Sequence, residues 1–274
     1  FLLILLGWNF TSAQTPSFYN SNGGTSSNTF PLASTTNTVQ WLYTPNVFNS
    51  AGSTGIPSGS GTITKVYFRI GSTGSTSTYT NFTIKLGQTV GTLSGFTSAA
   101  WITGLTTCFY QASYTTTGAT ANTWYAVTLQ TPFAYDATKS LVFEMSHSAY
   151  SGSGNYMAQT STGNMRIWGT YGSTTPTSYG TGLVDFGIDL VKGPNDAGIT
   201  AYASPLSVPA LNVTYTNYGN NAIDSIKIGW SVDGTVQTQN RYNKTLASGA
   251  SVSVGLTPDF NFQDGNTYNL KVWT

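Results

Sequence analysis

Side chains able to do acid–base or nucleophilic chemistry are few in this chain. It has nine acids, one histidine and one cysteine in 274 residues. The acids are Asp136, Glu144, Asp185, Asp189, Asp196, Asp224, Asp233, Asp259 and Asp264, with none before residue 136. Glycoside hydrolysis needs two carboxyl groups across a cleft, ~5–9.5 Å apart. Ahead of residue 192 the one close pair is Asp185 and Asp189. On an extended strand they share a face about 13 Å apart, at ~3.3 Å per residue. That separation is too wide, and the pair reads as the polar side of a half-buried strand. His147, in Ser146-His147-Ser148, reads as a surface-loop residue. A triad with Asp136 would also need a Gly-x-Ser-x-Gly turn, and Ser151-Gly-Ser-Gly154 is a flexible loop instead. Cys108 has no recognisable base beside it and reads as a small strand residue. No catalytic residue is assigned.

Metal and phosphate chemistry fare no better. One His and one Cys cannot complete the four-ligand set of a structural zinc site. Calcium takes Asp side chains and backbone carbonyls, and Asp196 beside Asn195, or Asp259 with Asp264, could supply them. No spaced Asp-x-Asp-x-Asp-Gly loop is present, and no other cofactor is implied. Gly52-Ser-Thr-Gly55 and Gly71-Ser-Thr-Gly-Ser-Thr76 lack the Gly-Lys-Ser/Thr of a phosphate loop. The aromatic residues carry the remaining signal. Trp41, Trp101, Trp124 and Trp168 precede residue 192, and Tyr150, Tyr156, Tyr171 and Tyr179 lie in a Gly/Ser-rich stretch. Rings flanked by Ser, Thr and Asn suit neutral sugars, whose C–H faces stack while their hydroxyls pair with polar groups. Trp41 and Trp124 read as core. Trp168, Tyr171, Tyr156 and Tyr179 are the candidate ligand-binding residues, against the reading that strand aromatics simply fill a core.

The elements that must position these residues are strands. Charged residues are 7% of the chain and aromatic ones 14%. Low charge alone suits disorder, but disordered chains are poor in aromatic and β-branched residues, which favour strands. Thr38–Tyr43, Ile63–Ile70, Asn81–Leu86, Trp124–Leu129, Leu141–Met145, Met165–Trp168 and Val184–Leu190 read as short strands between Gly/Ser/Thr turns. In Asn81–Leu86, Phe82, Ile84 and Leu86 alternate onto one face. A turn-rich connector, Lys192-Gly-Pro-Asn-Asp196, follows. Beyond it Gly198–Tyr202, Leu211–Thr216, Asp224–Val232, Ser251–Leu256 and Thr267–Trp273 read as a second strand set, with Asp233-Gly234 as a type I′ hairpin turn. The expected fold is all-β with two β-sandwich domains. A jelly-roll-like module over residues 38–192 follows a lead-in over 14–37, and an immunoglobulin-like module covers 193–274. With one cysteine, no intrachain disulfide can form.

Both ends carry expectations about export. Phe1–Trp8 is an apolar run followed by Thr11 and Ala13 at −3 and −1 of a small-residue cleavage site, so residues 1–13 read as a signal peptide truncated at its start. The run is too short to span a membrane, which takes ~20 apolar residues. Asn269–Thr274 reads as a strand cut short, with further domains expected beyond it. A net charge of +1 gives no electrostatic case for nucleic acid or an anionic membrane.

Asn195-Asp-Ala-Gly-Ile-Thr200, Val213 to Ile226, Gly229-Trp-Ser-Val-Asp-Gly234 and Thr245-Leu-Ala-Ser-Gly-Ala250 together resemble a CARDB-type domain, the bacterial cell-adhesion-related, immunoglobulin-like family. The segment before it is similar to N-terminal modules of secreted Bacteroidota proteins sorted by type IX secretion. That similarity rests on Gln40-Trp41, Gly61–Arg69, Phe82–Gln88 and Asp185–Asp189. Asp224-Ser225-Ile226 also resembles a Bacteroidota O-glycosylation site. These resemblances imply a secreted or cell-surface address. The expected function is a non-catalytic binding or adhesion segment whose partner is an extracellular polysaccharide, a neutral glycan in particular, or a surface protein. The alternatives are accessory modules of a secreted peptidase or glycosidase whose catalytic domain follows residue 274, and a ligand-free structural stalk.

Overall fold

Apolar residues at alternate positions put one face of each strand into a core, and the second apolar set of some strands needs a second cover. That rule organises the structure, a computed structural model that describes residues 14–35, 38–50, 57–72, 74–88, 90–193, 195–202, 211–257, 260–263 and 265–274. The expected signal peptide, and Asp259 and Asp264, lie outside the described residues. The described residues form strands and turns with no helix, so the chain is all-β. It divides into two compact units, Phe1–Val191 and Lys192–Thr274.

The principal strands of the first unit are β1 (Thr38–Tyr43), β2 (Gly61–Arg69), β3 (Thr78–Gly87), β4 (Thr106–Thr115), β5 (Trp124–Tyr135), β6 (Leu141–Ser146), β7 (Arg166–Gly169), β8 (Ser178–Gly180) and β9 (Phe186–Val191). One sheet runs β9-β2-β5 and is extended beyond β9 by Phe18–Tyr19 and Asn49–Ser50. The other runs β3-β6-β1-β7-β8, with β4 also paired to β3. Every pairing is antiparallel. The two sheets pack face to face. Trp41, Tyr43, Ile84 and Phe143 from one meet Val66, Phe68, Phe186 and Ile188 from the other in a single core. The Phe143 and Phe186 rings stack across the gap with centroids 4.4 Å apart. Trp41 is wholly buried, as expected; Trp124 is half-buried against Tyr19 at 5.5 Å.

All six residues of β1 and of β6 are buried, so these central strands are covered on both faces. Leu42, Val142 and Ile167 point away from the main core and are buried with Phe96 in a second cluster. The connection between β3 and β4 supplies that cover through Val90, Phe96, Trp101, Ile102 and Leu105. It covers only part of the outer face. The outward residues it leaves are polar.

In the second unit, β10 (Ala197–Tyr202), β11 (Leu211–Asn217) and β14 (Ser251–Leu256) form one sheet. The other is built on β12 (Ile223–Val232), which pairs with β13 (Asn240–Leu246) and β15 (Leu270–Trp273). Between them lie Val213, Tyr215, Ile228 and Trp230, all buried. The Trp230 indole donates to the Thr238 carbonyl at 3.1 Å. Asp233 and Gly234 have φ of 49° and 84°, as the type I′ hairpin requires, and close Ser231–Val232 onto Thr235–Val236.

Candidate functional site

Three adjacent strands each interrupt an apolar run with one charged or amide side chain on the outer face: Lys85 on β3, Glu144 on β6 and Gln40 on β1. Register brings them together, because Glu144 lies opposite Lys85 on one side and Gln40 on the other. Two residues along, Ser146 lies opposite Thr83 and Thr38 in the same way. The result is two polar rows crossing three strands, about 10 Å wide and ~7 Å apart by ordinary sheet spacing.

These rows floor a groove of about 490 Å³, within the usual range of small-ligand pockets. One wall is Trp101–Leu105 and the other is Tyr171–Ser173. The Trp101 indole donates to the Ser173 carbonyl at 3.1 Å and ties the walls together. A Cβ on Gly169 would stand 2.9 Å from the Trp101 ring, so glycine there makes room for the indole. Tyr171 is 39% exposed.

The floor is wired before any ligand arrives. Lys85 Nζ stands 2.8 Å from Glu144 Oε1. Gln40 Nε2 donates to Glu144 Oε2 at 2.7 Å and to the Ile102 carbonyl at 2.9 Å. Gln40 Oε1 in turn accepts from the Ile102 amide at 2.9 Å. The reciprocal contact with Ile102 fixes which end of the Gln40 amide is which, and it pins the wall to the floor. Charge-assisted bonds of this kind are the stronger ones. Glu144 is the only carboxylate among the described residues lining the groove, which leaves one member of the pair that glycoside hydrolysis uses.

The aromatic candidates separate in space. Tyr171 lines the groove. Trp168 packs against the main core, stacked on Phe30 at 5.9 Å with the Arg166 guanidinium 4.7 Å over its ring. Tyr179 is half-buried against the Leu42–Val142–Ile167 cluster. Tyr156 is half-buried, and its carbonyl accepts from the Gly71 amide at 2.5 Å. The groove gathers Tyr171 with Trp101, Lys85, Glu144 and Gln40, four residues that reading for exposed aromatics did not assign. For Lys85, Glu144 and Gln40 the signal is the one charged or amide residue at an outward position in Thr-Val-Gln-Trp-Leu-Tyr, Phe-Thr-Ile-Lys-Leu and Leu-Val-Phe-Glu-Met.

Several other ionisable residues make contacts inside the fold. His147 is no surface-loop residue. It is buried, with Nε2 2.7 Å from the Pro31 carbonyl and its ring against Tyr79 and Tyr150. Burial lowers its pKa from the ordinary 6.5, against the raising effect of the backbone bonds. Asp185 is wholly buried rather than on a half-buried face; it accepts from the Gly24 amide at 3.0 Å and pairs with Arg69 at 3.3 Å. Asp189 accepts from Tyr67 Oη at 2.7 Å and from Ser17. Cys108 is buried and its thiol is pushed up to about 11 by burial. Asp196 accepts from the Tyr218 and Gly219 amides through its carbonyl. Among the described residues no three His, Cys, Asp or Glu side chains cluster to hold a metal, and no helix is long and apolar enough to cross a membrane.

A second cavity, about 470 Å³, lies between the Asn22–Ser27 segment, Arg69 and Gly71–Ser72. It has no aromatic wall among the described residues, and Arg69 Nη1 is engaged by the Gly24 carbonyl and Asp185. No protein-family model matches the chain, and no curated protein or solved structure matches it.

Proposed function

We propose that the first unit is a non-catalytic carbohydrate-recognition module of an exported protein and that the groove on its outer sheet face holds a neutral glycan. The observation that supports this best is the pairing, in one groove, of two aromatic wall residues with a prewired floor of amide, hydroxyl and charge-paired groups. Aromatic bodies supply contact area at low entropic cost, while fixed polar groups set orientation. The second unit serves in this reading as an adhesion or spacer module, in line with its CARDB-type resemblance.

The test is binding of the purified chain to a polysaccharide panel, with and without calcium, together with Tyr171→Ala. A central aromatic contact is worth ~2 kcal/mol when truncated, so Tyr171→Ala should weaken binding by about 30-fold. Trp168→Phe, outside the groove, should leave affinity unchanged. A folded protein that binds no polysaccharide refutes the proposal and favours the spacer reading.

A further inference from the structure

The groove's floor carries one cation and one anion, and they are already paired. Lys85 and Glu144 are the only charged residues among the described residues lining it, so the floor they form is electrically neutral as a unit. An anionic ligand would face the Glu144 carboxylate, and a cationic one would face the Lys85 ammonium. Neither charge is swamped by a second of its own sign.

What the pair offers is a donor and an acceptor side by side. The Lys85 side chain is 36% exposed and that of Glu144 is 9% exposed, although it still borders the groove. An ammonium has three N–H donors, of which Glu144 takes one, and each carboxylate oxygen has a lone pair beyond the contact it already makes. The two heads are 2.8 Å apart, which is the spacing of two adjacent hydroxyl oxygens held gauche on a pyranose ring. One hydroxyl can accept from Lys85 Nζ while its neighbour donates to Glu144. Gln40 cannot supply the donor, because Ile102 and Glu144 already engage both of its N–H groups. Its amide oxygen, already bonded to the Ile102 amide, is a neutral acceptor and so a weaker one than the Glu144 carboxylate. Ser146 and Thr83, in the next row, add hydroxyls for a neighbouring ring.

We infer that the Lys85–Glu144 pair reads a free vicinal diol, so that the groove selects uncharged glycans with adjacent unsubstituted hydroxyls. This inference rests on the glycan-recognition reading above. It deepens that reading by naming the substrate class and the two residues that set specificity.

Linkage makes a clean probe. Chains of 1,4-linked xylan, mannan or glucan keep free neighbouring 2- and 3-hydroxyls. Chains of 1,3-linked β-glucan have no adjacent free hydroxyls along the backbone. Periodate oxidation followed by borohydride reduction removes vicinal diols from the first group and spares the 1,3-linked backbone. Calorimetric titration of the purified chain should show binding to at least one soluble 1,4-linked probe and loss of that binding after periodate treatment. The 1,3-linked glucan, polygalacturonate and chitosan should bind at least ten-fold more weakly. Glu144→Gln and Lys85→Met should each weaken the 1,4-linked probe by about ten-fold or more, the usual effect of losing a hydrogen bond to a charged group. The wild-type comparison of probes needs no variant to fold. Equal binding of 1,4- and 1,3-linked or periodate-treated chains, or tighter binding of the charged polymers, overturns the diol reading while leaving a glycan site in place. Absence of binding to every probe overturns both.

Discussion

Replacing Gln40 with Leu tests whether the groove is a prewired site or a chance hollow. The amide makes two neutral hydrogen bonds with the Ile102 backbone and one charge-assisted bond to Glu144. Neutral bonds contribute ~0.5–1.5 kcal/mol each and bonds to a charged group ~1.5–3. Together they give about 2.5–6 kcal/mol. Leucine fits the same volume and gains apolar contact with the neighbouring outer-face cluster, which offsets about 1 kcal/mol. The expected loss is therefore about 1.5–5 kcal/mol in the stability of the first unit. At ~2–4 °C per kcal/mol for a unit of this size, the midpoint should fall by about 3–20 °C. Scanning calorimetry of the purified chain measures this directly, with the transition of the second unit as an internal reference. Gln40→Glu sharpens the test. It sets a second carboxylate against Glu144, and two carboxylates at contact distance cannot both ionise. Its penalty should be larger at pH 7 than at pH 4. A change below about 0.5 kcal/mol for Gln40→Leu, the range of ordinary surface substitutions, would refute the argument that this amide holds wall and floor together.

Three further expectations concern stability and reactivity. His147 is buried with its pKa lowered by desolvation, so the unfolded chain binds its proton more readily. The stability it contributes is fully present above ~6.5, the unfolded value, and is lost as pH falls through the depressed folded value. The first unit should lose midpoint temperature between pH 7 and pH 5 more steeply in the wild type than in His147→Gln; identical slopes would contradict this. Cys108, buried with its thiol pushed up to about 11, should resist an aromatic disulfide reagent at pH 8 and react promptly once the chain is unfolded in guanidinium. Rapid labelling of the native chain would place the thiol at the surface. In the second unit Gly234→Val forces a β-branched residue to φ of 84° and should cost ~1–2 kcal/mol, whereas Gly234→Asn, a residue that tolerates positive φ, should cost less; reversed effects would rule out the type I′ turn.

The fold was legible where strands alternate or are apolar throughout, as in Thr38–Tyr43, Asn81–Leu86 and Leu141–Met145, and where Asp233-Gly234 marks its turn. Edge strands were harder. Asn240–Leu246 offers only Tyr242 and Leu246 as apolar residues, and among the described residues it pairs with β12 alone. Thr106–Thr115 likewise pairs only with β3 among the described residues and is mostly exposed. The groove was less legible still. Gln40, Lys85 and Glu144 are visible as polar breaks in apolar strands, but their meeting depends on the order β3-β6-β1, and Glu144 lies 104 residues from Gln40 in sequence. His147 misled for a related reason. Small polar neighbours made Ser146-His147-Ser148 look like a surface loop, and the Pro31 carbonyl that satisfies the ring comes from 116 residues away.

Charge is scarce in the first unit and it is spent internally. The five basic residues Lys65, Arg69, Lys85, Lys139 and Arg166 and the four acids Asp136, Glu144, Asp185 and Asp189 are its whole complement. All but Arg166 fall into four ion pairs. Two of these fasten neighbouring strands, a third ties Arg69 of β2 to Asp185 just ahead of β9, and Arg166 lies over the Phe30 and Trp168 rings. A surface arranged this way has little long-range field, so association with a ligand gains nothing from steering. A neutral glycan releases no counterions on binding, in contrast to a polyanion, whose affinity falls steeply with salt. The dissociation constant for a 1,4-linked glycan should therefore change by less than about two-fold between 50 mM and 500 mM NaCl, although the Debye length shrinks well below ~10 Å over that range. The Lys85–Glu144 pair, largely removed from solvent on its acidic side, is screened much less than an exposed pair. A steep salt dependence would show that the groove's occupant is charged, and the neutral-glycan reading would fall with it.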